Sequence, residues 1–130
     1  MGFPRRARIT RGAELQRIVR EGKRIRTTHL EVRAAVSPLA LLLGSRMRVG
    51  LIVPLHKNSA VARNRLKRRL RELARTCLLP SDLPADIVVR VRPEAYDATF
   101  EALTADITRA LAQLVLWYSS STLVPVPRQG

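Results

Sequence analysis

Apolar residues recur along this chain in two rhythms, and the changes of rhythm mark its elements. In "GAELQRIVR" (12–20), Leu15, Ile18 and Val19 fall at helical spacing and Gly22 follows as a stop, predicting a short amphipathic helix. From Ile25 to Val36 the period drops to two. Leu30, Val32 and Ala34 lie on one side and Glu31 and Arg33 on the other, the pattern of a half-buried strand. "MRVGLIV" (47–53) reads as the next strand, ended by Pro54, and the two strands with a loop between them suggest a hairpin. The loop "SPLALLLGS" carries Leu39 and Leu41 to Leu43, which a plain loop does not explain. A polar linker, "LHKNSAV", leads into a second helix that Pro80 and Pro84 close. "DIVVRVR" (86–92) is a β-branched strand stopped by Pro93. A last helix follows, with Phe100, Leu103, Ile107, Leu111 and Leu114 at steps of three and four, and residues 119–130 form a Ser- and Pro-rich tail expected to be flexible.

The order is that of an α+β fold, a small α/β sandwich α-β-β-β-α-β-α with a short first strand and a central sheet packed by helices. A helix between strands 47–53 and 86–92 allows those two to run parallel. At 130 residues the chain is most simply one domain. Aromatic residues make up only 4%, so Leu, Val, Ile and Ala must fill the core. The single cysteine, Cys77, excludes an internal disulfide and a Cys-based zinc site. No run approaches the length of a membrane span, and "MGFPRRARIT" lacks the apolar stretch of a signal peptide. Arg6 stands where a myristoylation signal needs Ser or Thr. These features lead to the expectation of a cytoplasmic protein with no membrane partner.

Charge changes the picture. Twenty-four Lys and Arg against ten Asp and Glu give +14, a balance that in a small domain points to a polyanion, most commonly nucleic acid. The cations concentrate in "ARNRLKRRLRELART", where seven of the thirteen residues from Arg63 to Arg75 are basic. With Leu66 at zero and 100° per residue, Leu70, Leu73 and Cys77 fall within about 40° of it, a narrow stripe for docking on the sheet. Asn64, Arg65, Lys67, Arg68, Arg71 and Arg75 lie opposite, with Arg63 and Arg69 at the flanks. A merely solvated face works best with mixed signs. Here like charges recur at i,i+4 through Arg63, Lys67, Arg71 and Arg75, which a partner's anions would relieve. Arg outnumbers Lys, and its planar fork suits phosphate. Residues 1–118 therefore read as one nucleic-acid-binding domain, and the face by itself does not say which nucleic acid.

Side-chain catalysis finds no support. Of the acids only Glu31 and Asp86 lie on or beside predicted strands, and His29 and His56 have no close acidic or Cys neighbour in sequence. There is no Gly-rich phosphate loop, and Gly50 within its strand suggests close backbone packing. Neither catalytic residues nor metal ligands nor a small-molecule substrate are expected in this chain.

"RVGLIV" followed by "AVARNRLKRRLRE" resembles the bacterial ribonuclease P protein subunit. Val49, Gly50, Ala60, Val61, Arg63, Asn64, Arg65, Lys67, Arg68, Arg71 and Glu72 match the family's strand and Arg-Asn-Arg helix without a gap. The resemblance implies a protein that binds a large catalytic RNA, the pair cutting the 5′ leader from precursor tRNA with Mg2+ held mainly by the RNA. It implies a left-handed βαβ crossover around the basic helix, against the usual hand. It also implies that Arg63, Asn64, Arg65, Lys67, Arg68, Arg71 and Arg75 face the catalytic RNA, and that Leu15, Val19, Arg33, His56 and Lys57 fall at the leader-binding cleft. The family offers aromatic side chains in that cleft where this chain has Leu15, Val19 and Arg33. Its Ser-Lys-Lys is replaced by Pro54, Leu55 and His56. The alternative is a structural RNA-binding protein of ribosomal type. A major-groove DNA reader fits less well, because Asn64 is almost alone among the cations as a base-reading side chain.

Overall fold

The computed structural model describes residues 7–36 and 47–123; the apolar loop 38–44, Arg5, Arg6 and residues 124–130 lie outside the described residues. The elements are α1 (Gly12–Glu21), β1 (Lys23–Arg26), β2 (Leu30–Val36), β3 (Arg48–Ile52), α2 (Ala60–Leu73), β4 (Ala85–Val91) and α3 (Phe100–Leu123). The α+β order expected from the sequence is the one observed, with β1 as the short first strand.

The sheet order is β1-β2-β4-β3, with β2 antiparallel to both β1 and β4, and β3 parallel to β4. This corrects the expected hairpin. Strand β4 lies between β2 and β3, and the hairpin is instead made by Lys23–Arg26 and Leu30–Val36, splitting the segment 25–36 that had read as one strand. Thr27 breaks that segment: its N–H bonds Leu30 O at 2.9 Å, turning the chain between β1 and β2. The crossover implied by the resemblance runs from β3 through α2 to β4.

Alternation along the strands sends side chains to two unlike faces. The inner face carries Ile25, Leu30, Val32, Ala34, Val49, Ile87, Val89 and Val91, packed with Leu66, Leu70 and Leu73 of α2 and Leu103, Ile107, Ala110 and Leu114 of α3. On the outer face Val88 is buried beneath Ile18 of α1 and Ile9, with Asp86 and Gly50 buried beside it and Leu15, Val19, Ala35 and Ile52 half-buried around them.

Two expected core positions move. Phe100 is 40% exposed in the first turn of α3. Its place at that end is taken by Tyr96, which packs on the core and donates its hydroxyl to Pro54 O at 2.5 Å. Cys77 is only half-buried, because α2 runs into a wider π turn at Ala74–Leu78 that rotates Ala74 and Leu78 inward instead. Helix α3 runs on to Leu123, beyond Tyr118 where the pattern had placed its end.

Candidate nucleic-acid interface

Helix α2 starts where Ser59 caps it, its Oγ accepting the Ala62 N–H at 3.0 Å. With Leu66, Leu70 and Leu73 buried on the sheet, the opposite side is fixed outward. Asn64, Arg65, Arg68 and Arg71 are exposed there. Arg63 is half-buried, and its Nε donates to Val53 O at 2.6 Å, tying the start of α2 to the end of β3. Arg75 pairs with Glu72 at 2.5 Å, which holds that carboxyl below its ordinary pKa and the guanidinium above its own. Lys67 is half-buried, and desolvation followed by repulsion from Arg63 and Arg71 pushes its pKa down. A depressed ammonium among like charges is a site that gains when anions arrive.

Lys67 and Arg71 share a groove of about 210 Å3 with Arg8, Leu15 and Leu51. The basic helix and the first helix thus meet along the β3 edge, where Arg8 bridges Val49 and the Ile9 N–H bonds Val49 O at 3.0 Å. Sequence spacing gave no sign of Arg8 at this groove.

Of the residues expected at the cleft, Leu15, Val19 and Arg33 come together on the outer face. Leu15 rests on Gly50: a Cβ there would lie 2.4 Å from Leu15 Cδ2 and 3.1 Å from Ile9 O, so the close packing expected of this glycine is present. Arg33 Nη1 donates to Val19 O at 2.5 Å, while its buried Nε has no hydrogen-bond partner. His56 sits farther along, at the ends of β3 and β4, with its Nε2 3.4 Å from Val91 O and its ring edge-on to Tyr96. His56 and Lys57 both have positive φ, at 48° and 67°, and Asn58 Nδ2 steadies the turn by donating to Leu55 O and His56 O. Lys57 is exposed on that turn.

Helix α1 is held over the cleft by charge as well as by Ile18. Arg48 grips the buried Asp86 with Nε and Nη2 at 3.0 and 2.9 Å and reaches Glu14 at 3.1 Å. The hydrogen bond to Asp86, opposed by burial and helped by Glu14, keeps Arg48 protonated more firmly than an ordinary arginine. Sequence reasoning missed this clamp because its partners lie far apart in the chain. Among the described residues no group of three His, Cys, Asp or Glu side chains could hold a metal ion, and no helix is long and apolar enough to cross a membrane.

The family model described as Ribonuclease P matches residues 3–115. The chain belongs to the ribonuclease P protein family. The ribonuclease P protein component of Kocuria rhizophila is 34% identical over 113 residues, 87% of this chain and 96% of that one. That of Thermus scotoductus is 46% identical over 70 residues, 54% of this chain but only 41% of the relative, so the chain spans less than half of that protein's length. The solved RNase P protein of Staphylococcus aureus superposes with a TM-score of 0.69 at 26% identity, covering 83% of this chain and 94% of that one. The family's fold is therefore the fold described above.

Proposed function

We propose that this chain is the protein subunit of the ribonucleoprotein endoribonuclease ribonuclease P, and that it assists removal of the 5′ leader from precursor tRNA in a cytoplasmic setting. The observation that carries the reading is the back of α2. Asn64, Arg65, Arg68 and Arg71 are exposed on one side of a helix whose other side is locked into the core. In this reading those residues, with Lys67 and the flanking Arg63 and Arg75, neutralise phosphates of a catalytic RNA. Arg63 and Arg75 are already engaged by Val53 O and Glu72, so they serve chiefly to hold the helix and its charge in place.

The cleft of Leu15, Val19 and Arg33, extended by His56 and Lys57, receives the single-stranded leader. In this reading phosphodiester hydrolysis belongs to the RNA, and Mg2+ held mainly by that RNA would supply the metal-ion chemistry. The protein's own part is to position two polyanions against each other. Cleavage of precursor tRNA at low Mg2+ tests this with the protein alone, the catalytic RNA alone, and both together. Cleavage only in the mixture is expected. Cleavage by the protein alone would mean a protein active site. Tight RNA binding without stimulated cleavage would favour the structural RNA-binding alternative.

A further inference from the structure

The strand register puts Arg26, Glu31, Arg90 and Ile52 in one row across all four strands, on the outer face beside α1. The next row, Arg24, Arg33, Val88 and Gly50, is the one that α1 covers at its Val88 and Gly50 end. Beyond α1 the face is open. Arg26, Glu31, His56, Arg90 and Arg92 there line a cavity of about 180 Å3.

The charges in this cavity do not cancel. Glu31 is already taken by Arg24 at 2.7 Å, with Arg33 at 3.8 Å. Arg92 is spent on Thr27 O and Thr28 O, both at 3.0 Å, and lies 3.8 Å from Glu94. Arg26 and Arg90 are exposed, flank Glu31 on either side, and neither pairs with an acid among the described residues. At ordinary strand spacing their backbones stand about 10 Å apart, so two long side chains can converge on one phosphate or take neighbouring ones. Among the residues lining the cavity His56 alone carries an aromatic ring, which meets Tyr96 edge-on, so arginines outnumber stacking surfaces there. Arg90 also interrupts an otherwise buried strand, where the other residues from Ala85 to Val91 are all buried.

We propose that Arg26 and Arg90 form a phosphate clamp for the single-stranded leader, giving this protein a leader grip set by salt rather than by base identity. The proposal rests on the cleft reading above and adds to it two residues and a mode of recognition. The ligand is the leader and not the catalytic RNA because α2 packs on the opposite face of the sheet. A strand entering past Leu15 and Val19 reaches Arg33 and then this row without leaving the outer face.

The test uses the full-length protein reconstituted with the catalytic RNA, binding precursor tRNAs with all-uridine or all-adenine leaders, and mature tRNA. The wild type, Arg26→Gln/Arg90→Gln and Arg26→Lys/Arg90→Lys are compared across a salt series, with thermal unfolding of each protein as the control for folding. The wild type is expected to bind both leaders equally. The Gln pair should lose about tenfold in affinity for both precursors, and its salt slope should fall by about 1.4, from two single-strand contacts at about 0.7 each. Mature tRNA and the catalytic RNA should bind as before, and the Lys pair should recover most of the loss. Unchanged precursor affinity in the Gln pair, or a wild-type preference for one homopolymer, would overturn the clamp alone. Equal losses toward mature tRNA or the catalytic RNA would reassign the patch to the RNA subunit and overturn it too. A wild type that binds precursor no better than mature tRNA would overturn the cleft reading and the clamp with it.

Discussion

The two faces of the sheet are built from the same four strands and do opposite things. The inner face meets two helices in a continuous apolar layer, and the side chains it buries hold the fold. The outer face meets one short helix through a handful of apolar residues, an ion pair from Glu14 to the Asp86-bound Arg48 and a hydrogen bond from Arg33, and then lies open. Stability is concentrated on one side so that the other can remain charged and accessible. Substitutions on the two faces should therefore separate in what they cost.

Leu103→Ala on the inner face should cost the most, about 2–5 kcal/mol from lost burial and the cavity left behind. Denaturant unfolding measures it, and RNA affinity of the folded fraction should be unchanged. A loss under about 1 kcal/mol would show that this face is less tightly packed than described.

Gly50→Ala on the outer face comes next. The added methyl meets Leu15 Cδ2 at 2.4 Å and the Ile9 carbonyl at 3.1 Å, so the Leu15 side chain must swing off the sheet and Ile9 give slightly, at about 1–3 kcal/mol. Here precursor affinity should fall together with stability, which Leu103→Ala should not show. If both variants leave affinity untouched, the cleft does not depend on α1.

Asp106 tests the inner side through pH. Its carboxylate accepts hydrogen bonds from the Thr27 hydroxyl at 2.8 Å and the His29 N–H at 2.7 Å, fastening the β1–β2 turn to α3. Burial pushes its pKa up, but these bonds and the His29 ring more than offset that and hold it below the ordinary carboxylate value. A depressed folded value means the stabilisation is complete above the unfolded pKa near 3.9 and is lost as pH falls through the folded one. Asp106→Asn should cost about 1 kcal/mol at neutral pH, and the gap to wild type should close below about pH 4. Unfolding measured across that range checks it; a gap that stays constant into acid would mean the charge of Asp106 contributes nothing.

The smallest stability effect belongs to Arg65→Ala/Arg68→Ala, within about 0.5 kcal/mol, because both side chains are exposed. Yet this pair should flatten the salt dependence of catalytic-RNA binding by about one unit per lost contact. An unchanged slope would make the back of α2 a solvated surface.

What the sequence disclosed follows from range. The stripe of Leu66, Leu70 and Leu73 repeats within one helix, so its burial and the exposure of Arg65 and Arg68 could be read locally. The same holds for the alternation of Leu30, Val32 and Ala34. The placing of β4 between β2 and β3 could not, since opposing Arg33 to Val88 depends on pairing between segments far apart in the chain. Arg48 with Asp86, and His29 with Asp106, are legible as single charges but not as pairs, being 38 and 77 positions apart. Cys77 failed for another reason: a π turn shifts the helical phase, and no residue in "ARTCL" announces it. At the interface the family motif located the basic helix, but only the fold brought Arg8 to Lys67 or set Arg26 and Arg90 on one row.

The strand order has a consequence for how the molecule is made. The central strand, β4, leaves the ribosome after both of its neighbours. Until then β2 and β3 each present a bare edge, and the most cationic helix trails behind β3 without the full sheet that will fix its direction. The nascent chain is thus an open, positively charged collector for any nearby polyanion before it is a folded protein. Addition of one seven-residue strand closes both edges at once.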